Sequence, residues 1–594
     1  MSAAGGAWRK RVLLVLCVGV PLGFLGVFAL YPLAYQVYGS FFNWPQLKPT
    51  TFNGLQNFHF LLANPMTSSA IAHTGVYVGL TVPLEVALGL ASAWVTLRRR
   101  HGQALLAIVF VIPLVVPWSA AVTLFQGIFE SNGTLDWLLI HVFGVQSPEQ
   151  FFGNPTAAFG IVVAIGVWKG APWCFLLLLG ALAAIPVELL EAARIDGARG
   201  FSYWLRIVLP SVRPMLVFVI VFRVLTEAQT FTSVSLLTGG GPYGSTELTS
   251  VFGFQLAFQN FEFGLASAMG TLVGATLLVV AFVGVGLIDA TPGKATLRAL
   301  ATGIARLRSG AARPRDATQF APAGSRRQRG AIHQPLPARL RRPFGATMRR
   351  WRRVGLALAG VLALVTIAPF VGGLPGGIAF PDYQLPWSAI SGALGNSGLV
   401  TVATLVGTML LAIPIAYVLA RSRLRFPRTL FLLVLLALAI PGMVLLLPQY
   451  LELARMGLIN TRLGVVLLYV AADMPLAVFF LRPAFVAVPS ELIEAMRVDG
   501  ATTARIGVRL VLPLAASTLV AVSILVVVQA WNESLVAVTV LNSPNLFTLP
   551  VLIAMNLGGI GSLAASWISI LPPLLLFIAC QRSFRRGLYS GDLL

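Results

Sequence analysis

Acidic side chains, histidines and cysteines are all scarce in this chain, with 20 Asp and Glu, five His and three Cys in 594 residues. Cys17, Cys174 and Cys580 stand far apart in or beside apolar runs, which excludes a disulfide framework and a thiolate metal site. His59, His73, His101, His141 and His333 show no metal spacing, and no nucleophile elbow accompanies them, so a membrane-bound enzyme would lack a catalytic cluster. No Gly-x-x-x-x-Gly-Lys-Ser/Thr occurs. Gly293-Lys294 is followed by Ala295, so nothing in the chain cradles a nucleotide phosphate.

What the chain has instead is apolar surface. It is 57% hydrophobic and 10% charged, and its mean hydropathy is +0.84. A soluble core could not hide that much, so the sequence reads as an all-α integral membrane protein. Apolar runs near 12–38, 71–97, 104–129, 156–182, 211–235 and 263–288 are each about the ~20 residues needed to cross a bilayer. A second set falls near 354–377, 396–421, 428–450, 462–487, 514–535 and 559–580, giving about 12 spans as six plus six. The first run follows Arg9, Lys10 and Arg11 but is too long for a signal peptide and lacks a small-residue cleavage site.

Between the two sets, Lys294 to Arg353 carries sixteen basic residues and one acid, Asp316. The sequence therefore divides into a first half, 1–293, a basic linker, 294–353, and a second half, 354–594. The linker is rich in Arg, Ala, Gly and Pro and is expected to be unfolded or to lie on anionic lipid headgroups. A nucleic-acid partner is not expected, because basic segments beside spans are what cytoplasmic placement requires. Arginine clusters at 98–100, 194–213, 421–428, 497–509 and 582–586 fall on the linker's side, whereas the opposite loops carry mainly acids such as Glu130, Asp136, Glu247 and Glu262. Both termini are thus expected in the cytoplasm and both halves in the same orientation, a parallel repeat with a solute path between them.

One stretch occurs twice. Glu191 to Pro210 reads EAARIDGARGFSYWLRIVLP, and Glu494 to Pro513, 303 residues later throughout, reads EAMRVDGATTARIGVRLVLP. Each copy gives a helical start, a turn at Gly197 or Gly500, a second amphipathic stretch, and a Leu-Pro that opens the next apolar run. This spacing resembles the cytoplasmic EAA loop of permeases in binding-protein-dependent ABC importers. The second copy departs from it at Met496 and Leu510, both still apolar and helix-compatible.

The halves differ in ways that also resemble known partners. Gly54-Leu55-Gln56-Asn57-Phe58, Leu237 to Pro242 with Ser245-Thr246, and Gly264 to Ala268 look like the first permease subunit of maltose-class carbohydrate importers. Asn396-Ser397, Gly457 to Thr461 and Trp531-Asn532-Glu533 are similar to the second. The resemblance implies a fusion of both subunits in a prokaryotic cytoplasmic membrane, with loops at 186–210 and 489–513 docking two separate ATPase subunits that bind ATP and Mg. Carried over, Glu191, Ala192, Ala193, Asp196 and Gly197, with Glu494, Ala495, Asp499 and Gly500, make the coupling contacts. The outer loop at Asn542, Ser543, Pro544 and Asn545 would reach the extracytoplasmic sugar-binding protein, and its composition favours an ordered turn.

Charges inside spans are costly and face a cavity or a partner. Arg223 and Glu227 stand four apart on the fifth span, and Lys169 and Trp173 have the same spacing on the fourth. By the resemblance these faces lie where a di- or oligosaccharide is held. Trp168 or Trp173 would stack on sugar C–H faces, while Lys169, Arg223, Glu227 and Gln229 meet hydroxyls. The competing reading is that these charges are internal ion pairs that fix helix packing. Glu85 is read as an interhelical hydrogen-bond partner ahead of a path residue. The main rival function, a six-plus-six proton-coupled secondary transporter, would be expected to place its signature loop between the second and third spans. Those loops are short here, and the repeated motif lies between the fourth and fifth.

Overall fold

The computed structural model describes residues 15–44, 50–98, 103–131, 133–145, 150–196, 200–289, 385–421 and 442–589 without 558–559, and short pieces between 429 and 437. The linker 294–353, the expected span 354–377, Gly197 and much of the expected span 428–450 lie outside the described residues.

In chain order the first half contains α1 (Val15–Gly39), α2 (Pro65–Arg98), α3 (Gln103–Val115), α4 (Trp118–Phe129), α5 (Pro155–Ala183), α6 (Val187–Ile195), α7 (Trp204–Glu227) and α8 (Phe263–Asp289). The second contains α9 (Trp387–Arg421), α10 (Gly442–Arg455), α11 (Arg462–Ala487), α12 (Ser490–Val498), α13 (Ala516–Asn532) and α14 (Ile560–Tyr589). The described strands, Phe42–Asn43 and Thr51–Phe52, form one short antiparallel pair. Among the described residues, seven helices are long and apolar enough to cross a bilayer, or nine if each of two bent pairs is one span. This is the all-α membrane architecture expected from composition.

The fourth span of each half is the central one. In their most apolar windows α5 is 78% buried and α11 67%, against 22–39% for the other long helices. The outer helices turn Phe282, Val402 and Leu410 outward, apolar side chains that match a lipid face. Alpha5 starts cleanly because Asn154 caps it, its side chain accepting from the backbone N–H groups of Thr156 and Ala157, with Pro155 in the first turn.

Small residues let α2 and α5 touch. A side chain at Gly89 would meet the Cβ of Cys174 and come within 2.7 Å of the Phe175 backbone nitrogen, and one at Gly166 would strike the Tyr77 hydroxyl. Close approach of this kind is what drives helix association where water supplies no hydrophobic drive.

The repeat seen in the sequence is a repeat of backbone geometry. Trp204–Val208 and Gly507–Val511 are both π-helical turns, again 303 residues apart, and each is followed by its Leu-Pro. Proline lacks an N–H and its ring presses on the carbonyl one turn back, so the preceding turn widens. The halves then diverge: α7 runs on unbroken, whereas the equivalent span bends by 79° between Leu514 and Ala516.

The halves are not separate bodies. Leu25 and Ala29 of α1 lie in a core with Ala412, Ile415, Met474 and Leu481, and Ala521, Ile524 and Val528 of α13 lie in a core with Cys174, Leu178 and Val219. Hydrogen bonds fasten α1 to α10: Gln449 Nε2 donates to the Phe28 carbonyl at 2.7 Å, and Arg455 reaches the hydroxyls of Tyr31 and Tyr35 at 3.0 and 2.9 Å.

Replacing Gly89 with Val should destabilise the protein by about 1–3 kcal/mol through overpacking. The expected sign is a lower thermal midpoint of the detergent-purified chain; an unchanged midpoint would contradict the close α2–α5 contact.

Candidate functional site

The third span of the first half is expected from the sequence to be continuous, and it is not. Alpha3 ends at Val115, Pro117 turns the chain, and α4 leaves at 109° to the segment before it. A residue before proline is pushed out of the helical region, so Val116 marks the break. The break frees carbonyls within an apolar run, where lipid could not bind them. Two side chains supply the missing donors: Lys169 Nζ donates to the Val116 carbonyl, and Asn532 Nδ2 donates to the Leu114 carbonyl at 2.9 Å. Asn532 belongs to the other half. The Lys169 ammonium also lies 5.0 Å above the Trp118 ring.

Beside it lies a compact ion cluster. Arg223 grips Glu85 through Nε at 2.7 Å and Nη2 at 2.9 Å, and its Nη2 also bonds Glu227. Glu227 Oε2 accepts from the Tyr77 hydroxyl at 2.7 Å and from Thr230 at 3.0 Å. All three charged groups are buried, at 0–5% exposure. Gly170 makes room for them, since a side chain there would overlap Glu85 and Arg223. The sequence reading offered Arg223 and Glu227 as sugar contacts or as an internal ion pair; their charged atoms are committed to one another and to Glu85, because a low-dielectric site favours a closed ion network over free charges, and both residues also line the cavity between the halves. Glu85 is an interhelical partner, as expected.

A cavity of about 320 Å³ opens between the halves along this cluster. From the first half, Thr226, Glu227, Gln229, Thr230, Phe231 and Thr232 line it; from the second, Gln529, Ala530, Asn532, Glu533, Ser534 and Leu535. These are the same six positions in the two repeats, each pair separated by 303 residues. Trp118, Trp173, Phe222 and Tyr469 add aromatic surface, and Arg223 and Asp473 complete its charged rim. Two expected residues do not line it. Trp168 is buried against Phe125, ring centroids 5.6 Å apart, in an apolar core, and Lys169 is engaged at the α3–α4 break. Trp173 and Gln229 do line it, and Gln229 Oε1 accepts from the Gly442 N–H at 2.9 Å, tying α7 to the start of α10.

Sequence reasoning missed Trp118, Tyr469, Asp473 and Gln529. It offered Trp531-Asn532-Glu533 only as a likeness to the second permease subunit. The 303-residue offset, applied to Gln229 and Thr230, points to Asn532 and Glu533 and would have found them.

At one end of the molecule the two repeated hairpins stand clear. Glu191, Ala192 and Asp196 on and just past α6, and Glu494, Ala495, Asp499 and Gly500 on and just past α12, are exposed, while Ala193 is buried. Gly500 has φ +75°, a left-handed turn open to glycine. Ile195 and Val498, equivalent in the repeat, are 85% and 88% exposed, an unusual position for branched apolar side chains.

The loop at the other end of the second half is built rather than slack. Asn460 Oδ1 accepts from the backbone N–H groups of Asn542 and Ser543, both at 2.9 Å, and Asn396 Nδ2 donates to the carbonyls of Asn545 and Phe547. Asn542, Pro544 and Asn545 are left exposed. In the first half's counterpart, Tyr243 is 96% exposed on a loop held by Thr246 bonds to Thr238 and Gly241. There the partly buried Glu247 carboxyl is pushed up from the ordinary range by loss of water, against the opposing pull of His73 and Gln255.

The fold and its two repeats define an inner-membrane transport component. The family profile described as "Binding-protein-dependent transport system inner membrane component" matches residues 85–292 and again 410–588, and the chain belongs to that family, carrying its domain twice. Among curated relatives, the trehalose transport system permease protein SugA of Mycobacterium tuberculosis (strain CDC 1551 / Oshkosh) is 30% identical over 292 residues, 49% of this chain and 92% of that protein. The trehalose/maltose transport system permease protein MalF of Thermococcus litoralis is 34% identical over 232 residues, 39% of this chain and 77% of that protein. Among solved structures, a bacterial ABC transporter that imports the acidic polysaccharide alginate has a chain matching 49% of this one and 99% of its own length, with TM-score 0.42 and 19% identity. Membership of this family favours the importer permease over the proton-coupled secondary transporter.

Removing one member of the ion cluster should be worse than removing all of it. Arg223→Ala leaves two buried carboxylates unpaired and should cost about 3–5 kcal/mol, seen as lost monodisperse protein or a lower thermal midpoint. Combining Glu85→Gln, Arg223→Met and Glu227→Gln should recover most of that loss.

Proposed function

We propose that this chain is the transmembrane permease of an ATP-driven importer for a carbohydrate, a di- or oligosaccharide, with both permease subunits fused in one polypeptide. The observation that carries the reading is the inter-half cavity. Sugars need flat aromatic surface for their C–H faces and directional partners for their hydroxyls. Trp118, Trp173 and Tyr469 supply the first, and Thr226, Gln529 and Ser534 the second. The trehalose and maltose permeases among its relatives support the same substrate class.

In this reading an extracytoplasmic binding protein, the partner implied by the family's description, delivers the sugar to the exposed loops at Tyr243 and at Asn542, Ser543, Pro544 and Asn545. The hairpins at α6 and α12 face the cytoplasm, as the arginine distribution suggests, and seat two separate ATPase subunits that bind ATP and Mg; the chain is a transport subunit and not itself an enzyme. Glu191 and Glu494 would meet basic groups there, with Ile195 and Val498 filling apolar hollows. Closure of the ATPases would draw the hairpins together, and each hairpin leads through its π turn into the span that bears cavity residues, α7 or α13. A short, rigid connection of this kind moves its span instead of absorbing the displacement. The cavity would then switch its opening from one side of the membrane to the other.

Co-purification of the chain with its binding protein and ATPase, followed by a screen of saccharides for stimulated ATP hydrolysis, tests the reading as a whole. Uptake driven by an ion gradient without any ATPase would refute it. Charge reversal at both Glu191 and Glu494 should lower transport-coupled ATP hydrolysis roughly tenfold, and normal hydrolysis with normal ATPase co-purification would remove these two residues from the interface.

A further inference from the structure

The end of α11 leaves a carbonyl that its own helix cannot serve. The Phe485 carbonyl would accept from the N–H four residues on, but that residue is Pro489, which has none. Arg421, the last residue of α9, supplies the donors: its Nε donates to the Phe485 carbonyl at 2.8 Å, and its Nη2 donates to the carbonyls of Val486, at 3.1 Å, and Val488. A cation also suits the negative end of a helix. The second hairpin starts one residue after Pro489, so one guanidinium joins the end of α9, the end of α11 and the entry to α12. Around it Tyr417 meets Phe485 edge-on, ring centroids 6.4 Å apart, and Ile493 and Met496 of α12 pack into the same core.

The first hairpin is fastened differently. Alpha2 also ends on an arginine, Arg98, and four residues before it Trp94 packs edge-on against Trp204, at the start of α7, with centroids 4.3 Å apart. On α9 Tyr417 holds the place of Trp94, but the position of Trp204 is taken by Gly507, 303 residues later, which has no side chain to meet it. The second hairpin therefore lacks the indole contact, and the fork of Arg421 holds it instead. Alpha9 and α11 in turn pack closely, since a side chain at Gly407 would come within 2.9 Å of Val470, and α11 carries Tyr469 on the cavity wall.

We propose that Arg421 is the positioning residue of the second hairpin: it locks α12 to the α9–α11 pair, so that a push on the hairpin moves the cavity wall at Tyr469 along with α13. This rests on the ATPase-docking reading above and adds a second route of coupling, made of hydrogen bonds where the first half uses packed indole rings.

The test uses the full chain in lipid nanodiscs with its ATPase, Cys17 and Cys580 replaced by serine, and spin labels at Tyr243 and Leu463, exposed positions at the ends of the two halves away from the hairpins. The distance between the labels is measured by pulsed spin resonance before and after ATP is trapped with vanadate. In the otherwise unaltered chain, trapping should shift the distance. Arg421→Ala should co-purify with the ATPase and trap nucleotide normally, yet show a ratio of shifted to unshifted population about tenfold lower. Arg421→Lys should fall between, because a single ammonium keeps the charge without the fork. The proposal is overturned by an unaltered ratio in a monodisperse Arg421→Ala protein, by loss of ATPase co-purification in that variant, or by no shift in the otherwise unaltered chain when the ATPase is bound. If Arg421→Ala fails to fold, Arg421→Lys decides: a lowered ratio supports the proposal and an unaltered one overturns it. Should the otherwise unaltered chain bind no ATPase at all, the docking reading itself falls, and this proposal with it.

Discussion

In hydrocarbon a polar group has no water to fall back on, and the buried polar contacts beside the cavity answer that constraint. The bidentate grip of Arg223 on Glu85, with Glu227 and the Tyr77 hydroxyl closing the circuit, joins α2 and α7 across a groove left by Gly166 and Gly170. The break between α3 and α4 is tolerable because Lys169 and Asn532 take up the carbonyls it releases. Neither arrangement is a strong source of net stability, since desolvation offsets much of the attraction. What they provide is a single geometry, because any slippage would strand a charge or a carbonyl.

The same constraint welds the two halves. Asn532 satisfies a carbonyl of the opposite half, Gln229 does the reverse toward Gly442, and α1 is fastened to α10 by Gln449 and Arg455. Apolar cores also run across the boundary. The cavity is thus bounded by equivalent positions of α7 and α13 and by side chains that differ between them. Near-symmetry shapes the space, and asymmetry fills it: Gly170 against Asp473, Phe231 against Ser534, an unbroken α7 against a span bent by 79°.

Much of this was legible in the residues. Apolar runs announced the spans because a bilayer demands ~20 apolar residues whatever the fold, and the paired hairpins were plain because Glu191 to Pro210 and Glu494 to Pro513 keep their register over twenty positions. Glu85, Arg223 and Glu227 stood out as buried charges, but their spacing could not say whether they face each other or a solute. Trp168 and Trp173 carry the same chemistry, and only packing puts one in an apolar core and the other on the cavity. The break at Val116 was hidden inside a hydrophobic run, since composition registers apolarity and not the angle at Pro117.

Taken alone, the sequence determined that the chain lives in a membrane, that it holds two related halves, and that two polar hairpins recur between the fourth and fifth spans. These are properties of local composition and spacing, which survive without knowledge of neighbours. Which charges cancel, which carbonyls Lys169 and Asn532 rescue, and that Arg421 takes the carbonyl Pro489 leaves unserved were decided by tertiary structure. Whether a polar atom is spent or free depends on what stands within about 3 Å of it, and residues hundreds of positions apart supply that neighbour.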